Sequence, residues 1–260
     1  MRIKIFLFAC SLLAFTSPIS AQKFLAKPYT EWNKDDALKI VSESAWAKTY
    51  SSVDAAVRTD SQSMARSQRD TVNSGGGRPG SVSATRGSLP VTIRLHSSPF
   101  VRQAMVRLQQ IDVKYDKMDE TKRAGFDASK KGFLECAICR DYYVITLTMF
   151  TDSSGEMTNE GIFAAVKPEE IIGKVSLVND KGEKRSLIQF NPAKGPGDSA
   201  VFYFKRTDDA GTPLVSADTK SLEFIFSGEF LQWDKRYGGL YPKKWEFSVD
   251  KMTVDGKVSF

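Results

Sequence analysis

The sequence predicts an α+β protein made mainly of β-strands: an antiparallel, immunoglobulin-like β-sandwich with one long packed helix and a further helix near the N-terminus. Three observations lead there. Beyond Cys139 the hydrophobic period becomes two, in runs such as YYVITLTMF (142–150), SAVFYFKR (199–206) and SLEFIFS (221–227). Turn residues punctuate those runs, among them Asn179-Asp180-Lys181-Gly182 and Asp208-Asp209-Ala210-Gly211. Before them, Val101, Ala104, Met105, Leu108, Ile111, Tyr115 and Met118 recur at helical spacing over about five turns.

Taken in order, residues 33–48 (NKDDALKIVSESAWAK) read as the N-terminal helix. Asn33 suits the N-cap, and Asp35 and Asp36 fall in the first turn, where the helix dipole favours anions. Ala37, Leu38, Val41 and Ala45 supply the apolar face, with Trp32 and Trp46 anchoring the ends. Residues 91–95 (VTIRL) alternate as a strand, and Ser98-Pro99 reads as an N-cap followed by proline at the first helical position. Strands follow at 142–150, 173–179, 184–190, 199–206, 221–227 and 244–254, with a short helical turn over 166–172. Strand side chains alternate between faces, so Leu222, Phe224 and Phe226 share one face, as do Trp245, Phe247 and Val249. Asn179–Gly182 carries the signature of a hairpin. No internal repeat of solenoid period is visible.

The division of the chain follows from its ends and its composition. Residues 1–21 read as a signal peptide: Arg2 and Lys4, an apolar core from Ile5 to Phe15, and Ala21 before the cleavage point. That core is too short to span a bilayer, and no apolar run reaches the ~18 residues a span needs. A short buried element is the bland alternative. A lipobox, Leu7-Phe8-Ala9-Cys10, with a lipid on Cys10, is another. Residues 22–58 then form an N-terminal helical segment, 59–90 a flexible Ser/Gly/Arg linker, and 91–260 the helix-plus-sandwich domain. The expected location is the periplasm or the exterior of a bacterium.

Composition narrows the function classes. The 260 residues carry 37 Lys and Arg against 31 Asp and Glu. Losing Arg2 and Lys4 with the leader leaves 35 against 31, a net +4. Between Thr49 and Val113 stand eight arginines, four aspartates and no lysine, so that segment holds the whole excess. These arginines read as solvated charges; an anionic envelope polymer or lipid head group is the sharper reading, because a guanidinium forks onto phosphate or carboxylate. Export argues against nucleic acid. A protein of the envelope is the other partner in view.

One histidine, His96, leaves no multi-histidine metal site and no Ser-His triad in prospect, and no G-x-S-x-G elbow occurs. No metal, cofactor or catalytic residue is expected. Acid pairs at Asp119-Glu120, Glu169-Glu170 and Asp208-Asp209 fall in turns or helix ends, where carboxylates cap and solubilise. Cys136-Ala137-Ile138-Cys139 is the sharpest motif. Arg140 follows where a haem motif has histidine, and two thiolates fall short of a zinc site. In an oxidising compartment the pair reads as a small structural disulfide. The alternative is a thiol–disulfide oxidoreductase, with Arg140 steadying a thiolate. Trp233, Tyr237, Tyr241 and Trp245, around DKRYGGLYPKK, form an aromatic and basic group suited to stacking on a sugar or peptide; aromatics closing the end of the sandwich are the plainer reading.

The segments KPYTEWNKDDALKIVSESAWAK, YDKMDETKRAGFD and GPGDSAVFYFKRTDDAGTPLVSADTKSLEFIFS resemble those of exported bacterial proteins with no assigned function. The resemblance covers most of the chain beyond the leader. It implies a secreted location and offers no catalytic residues to carry over. The expectation is therefore a non-enzymatic binding or envelope-associated module.

Overall fold

The computed structural model describes residues 23–50, 90–149, 166–194, 198–227, 242–254 and 257–260. The leader at 1–21, Cys10 and nearly all of the 59–90 linker lie outside them.

Helix α1 spans Lys34–Ser42. Asn33 and Asp36 form a reciprocal cap: the Asp36 N–H donates to Asn33 Oδ1 at 2.8 Å, and the Asn33 N–H to Asp36 Oδ2 at 3.3 Å. The helix stops short of the expected residue 48. The Ser44 hydroxyl donates back to the Ile40 carbonyl, satisfying a group that a longer helix would have bonded, and the Ser42 hydroxyl donates to that of Leu38. The chain then turns at Trp46 and runs as strand β1, Ala47–Tyr50.

β1 pairs antiparallel with β2, Val91–Leu95, so the segment read as wholly helical also supplies a sheet edge. The first sheet runs β1-β2-β3-β7-β6, with β3 at Tyr142–Met149, β6 at Gln189–Asn191 and β7 at Ser199–Lys205. The second runs β5-β4-β8-β9, with β4 at Val175–Asn179, β5 at Lys184–Ser186, β8 at Ser221–Phe226 and β9 at Lys244–Ser248. Strands β10 (Thr253–Val254) and β11 (Lys257–Val258) make a small hairpin. All these pairings are antiparallel, and with the helices they make the protein α+β.

The run at 184–190, expected as one strand, is divided between the sheets. The Leu187 N–H donates to Val175 of the second sheet, and the next N–H, of Ile188, to Tyr203 of the first, both at 3.0 Å. A short strand that changes sheets at a bend is how such corners are made. The β4–β5 hairpin is closed by Asn179, whose Oδ1 accepts from the N–H groups of Lys181 and Glu183, and by Gly182 at φ 82°.

Alternate residues of both sheets meet in one core. Ile93, Ile145, Phe202 and Phe204 of the first sheet cluster with Leu177, Phe224 and Phe247 of the second. The Phe202 and Phe224 rings stand edge to face, 5.1 Å apart. Each such burial stabilises by about 1.5–3 kcal/mol. A second cluster joins Trp32, Ala37, Ile40 and Val41 to Ala104 of helix α2, which spans Pro99–Asp112.

α2 starts as expected, with Ser98 at the N-cap and Pro99 at the first position. The apolar stripe expected to continue to Met118 breaks after Asp112, because Lys114 adopts φ 55° and a 3-10 turn follows at Tyr115–Lys117. A further helix, α3 at Glu120–Glu135, comes next, capped by Asp119. None of its residues is fully buried, so it shows no core-facing stripe in the sequence. The helical turn expected over 166–172 is present as α4, Pro168–Ile171.

Candidate functional site

The Cys136-x-x-Cys139 motif lies where α3 ends against the start of α2. The N–H of Cys136 closes on the Gly132 carbonyl at 3.0 Å, and Cys136 itself takes φ 44°, a left-handed cap usually given to glycine. A 3-10 turn over Ala137–Arg140 returns the chain, bringing the two sulfurs to bonding distance with Cα atoms 5.3 Å apart. Cys139 is 6% exposed and Cys136 half-buried.

Arg102, on the first turn of α2, ties this corner together. Its Nε donates to the Leu134 carbonyl at 3.0 Å, and its Nη1 to the carbonyls of His96 and Ser97 at 3.0 and 2.6 Å. Nη1 also lies 3.5 Å from Cys139 Sγ. Arg206, just beyond β7, approaches from the other side. Its Nε donates to the Cys139 carbonyl at 2.9 Å and its Nη2 to the Phe260 main-chain oxygen at 2.7 Å. Its guanidinium stacks on the rings of Tyr143 and Phe260, 4.7 and 5.0 Å from their centroids.

Between these groups opens a cleft of about 230 Å³, lined chiefly by Ser97, Arg102, Cys136, Cys139, Arg140 and Arg206. Arg140 is exposed, and its guanidinium has no partner among the described residues. The single acid on the rim, Glu135, is exposed and faces Lys131 at 3.8 Å. Three guanidiniums therefore line the cleft: Arg206 is engaged by the Phe260 oxygen and favoured by the nearby Asp141 carboxylate, Arg102 by main-chain carbonyls, and Arg140 by none of the described residues. Burial, and then the Arg206 cation, lower Arg102 to about 10. Burial likewise lowers Arg206.

His96 sits behind the cleft, its ring edge to face with Phe133 at 5.1 Å. Burial, then the cations of Arg102 and Arg94, push its pKa down to about 4, so it is neutral at pH 7. Its Nδ1 and the hydroxyls of Ser97 and Ser98 are buried without a hydrogen-bond partner among the described residues. No bond joins the imidazole to either serine, so His96 activates neither of these two hydroxyls.

The arginines read as solvated charges are, within 90–113, buried structural donors. Arg94 Nε donates to the Val41 carbonyl at 2.7 Å and Arg107 Nε to that of Trp32 at 2.8 Å, while Arg102 serves α3 as above. The reason is that helix ends and turns leave carbonyls without partners, and a guanidinium reaches several at once. Of the aromatic group, Trp233, Tyr237 and Tyr241 lie outside the described residues. Trp245 is 4% exposed and packs on Phe224 and Phe226 at 6.0 and 5.7 Å, an interior position rather than a surface offered to a ligand.

Among the described residues no group of three metal-ligating side chains occurs, and no helix is long and apolar enough to cross a membrane. Sequence reasoning noticed Arg140 beside the cysteines but missed Ser97 and Arg206 as partners of the same corner. Only Ser97 carried a signal, as a hydroxyl at the mouth of a helix. The chain matches no family model, and neither a curated protein nor a solved structure matches it significantly.

Proposed function

We propose that the protein is an exported bacterial binding module that grips an anionic component of its surroundings in the cleft beside Cys136–Cys139. The observation that carries the reading is the set of three guanidiniums, Arg102, Arg140 and Arg206, that line the cleft, with Arg140 unpartnered among the described residues. Arg102 is buried and burial opposes its charge, so an arriving anion is favoured beside it. Export is supported by the residues of the leader: Arg2, Lys4, the Ile5–Phe15 core and Ala21. A face-to-face sandwich is the finer fold reading, supported by the Phe202–Phe224 contact between sheets. The orders β1-β2-β3-β7-β6 and β5-β4-β8-β9 differ from the ABED and CFG sheets of the immunoglobulin fold.

Cell fractionation with sequencing of the mature N-terminus tests export, which predicts Gln22 as the first residue. Co-sedimentation with isolated cell envelopes tests binding: wild type should pellet, and Arg140→Ala should stay in the supernatant. Equal pelleting of both, or of neither, would remove the cleft from the function.

The second reading, a thiol–disulfide oxidoreductase, draws on the 3.5 Å contact between Arg102 Nη1 and Cys139 Sγ, which would favour a thiolate there. Against it, Cys136 sits at the C-terminal, negative end of α3. A reduction potential below about −300 mV marks a structural bond; a value near those of oxidoreductases would turn the assignment to redox chemistry.

A further inference from the structure

We propose that the group seated in this cleft is a phosphoryl group, free phosphate or the phosphomonoester end of a larger molecule, held by Arg140, Arg102 and the Ser97 hydroxyl at the N-terminus of α2. The inference rests on the binding-module reading and narrows its ligand.

The size of the cleft comes first. About 230 Å³ is below the ~300–1,000 Å³ of pockets that engulf a whole drug-sized ligand, so the cleft takes a small group or one end of a molecule. The direction of its donors comes second. A carboxylate is planar and is satisfied by one guanidinium fork, whereas a phosphoryl group presents acceptor oxygens in three directions. Here the donors come from separate elements: Arg102 from α2, Arg140 from the turn after α3, and Ser97 from the turn before α2. Arg102 commits Nε and Nη1 to carbonyls, while its Nη2 has no partner among the described residues.

Two further features point to a ligand independently. Ser97 is 2% exposed, lines the cleft, and its Oγ is buried without a partner among the described residues. A buried hydroxyl left unpaired costs about 1–3 kcal/mol, and a ligand oxygen removes that penalty. Pro99, at the first position of the 14-residue α2, also lines the cleft, so the positive end of that helix dipole opens onto it.

The test is isothermal titration calorimetry of the full, disulfide-intact chain at pH 7 and low salt, with inorganic phosphate as the probe and acetate as control. Wild type is expected to bind phosphate at one site, more tightly than acetate and less tightly as salt rises. Arg140→Ala removes an exposed guanidinium without a partner, so its urea midpoint should match wild type while phosphate binding weakens about tenfold or more. Ser97→Ala should weaken binding as well. Phosphatidylcholine vesicles with and without phosphatidic acid form the second arm. Selective sedimentation with phosphatidic acid identifies a lipid head group; binding of phosphate alone identifies the free ion.

Acetate bound as tightly as phosphate would overturn the phosphoryl assignment, as would saturation by neither probe. Binding unchanged in both variants means an adventitious ion only. Envelope binding that depends on Arg140 without any phosphate response would overturn this inference and leave the binding-module reading standing.

Discussion

Acid should destabilise this protein through His96, and the size of the effect can be worked from its surroundings. The imidazole has an ordinary pKa of 6.5 in the unfolded chain and about 4 in the fold, where burial and the Arg102 and Arg94 cations oppose its charge. A base with a depressed folded pKa binds its proton first in the unfolded state. Stability is therefore intact above pH 6.5 and falls as the pH drops from 6.5 toward 4, below which both states are protonated. Each unit of difference is worth about 1.4 kcal/mol, so the loss across that window is about 3 kcal/mol. Among the described residues no acid compensates: the groups acting on the ring are Phe133, Arg102 and Arg94. Urea unfolding at pH 7, 6, 5 and 4 measures the loss directly. His96→Gln, a neutral side chain of similar reach, should flatten the profile between pH 6.5 and 4 whatever its effect at pH 7. As the chain has one histidine, its imidazole resonance can also be titrated by NMR without assignment. An NMR pKa near 6.5, or a variant profile as steep as that of wild type, would refute the reasoning.

Other perturbations follow from the packing. Replacing both Cys136 and Cys139 by alanine opens a four-residue loop, and the chain-entropy relation gives a loss of about 2 kcal/mol, read as a lower melting temperature that reductant no longer shifts. Phe202→Ala removes a fully buried ring between the two sheets and should cost about 3–5 kcal/mol in urea unfolding. Asn33→Ala deletes the acceptor for the Asp36 N–H and should cost about 1 kcal/mol, without altering the sheets seen by circular dichroism.

How far the sequence could be read depended on the range of the interaction that fixed each feature. β7 and β8 were legible because burial alternates residue by residue along them, and the hairpin at Asn179–Gly182 because its turn chemistry is local. The capping of α1 by Asn33 was legible for the same reason. α3 was not, since a helix that buries no residue leaves no periodic trace. The division of 184–190 was also hidden, because Leu187 and Ile188 are alike in sequence and differ only in which sheet accepts their N–H groups.

From the sequence alone came the positions of β2, β3, β4, β7, β8 and β9, the turn at Asn179–Gly182, the pairing of two neighbouring cysteines and the expectation of export; each rests on residues close together in the chain. Tertiary structure alone decided that β1 joins β2 across the intervening residues 51–90 and that Trp245 turns inward. It also decided that Ser97, Arg102, Arg140 and Arg206 meet at one cleft. The reason is physical: a guanidinium has no period and no fixed neighbour in sequence. Its role is set by the carbonyls and charges that folding brings within about 3 Å of it.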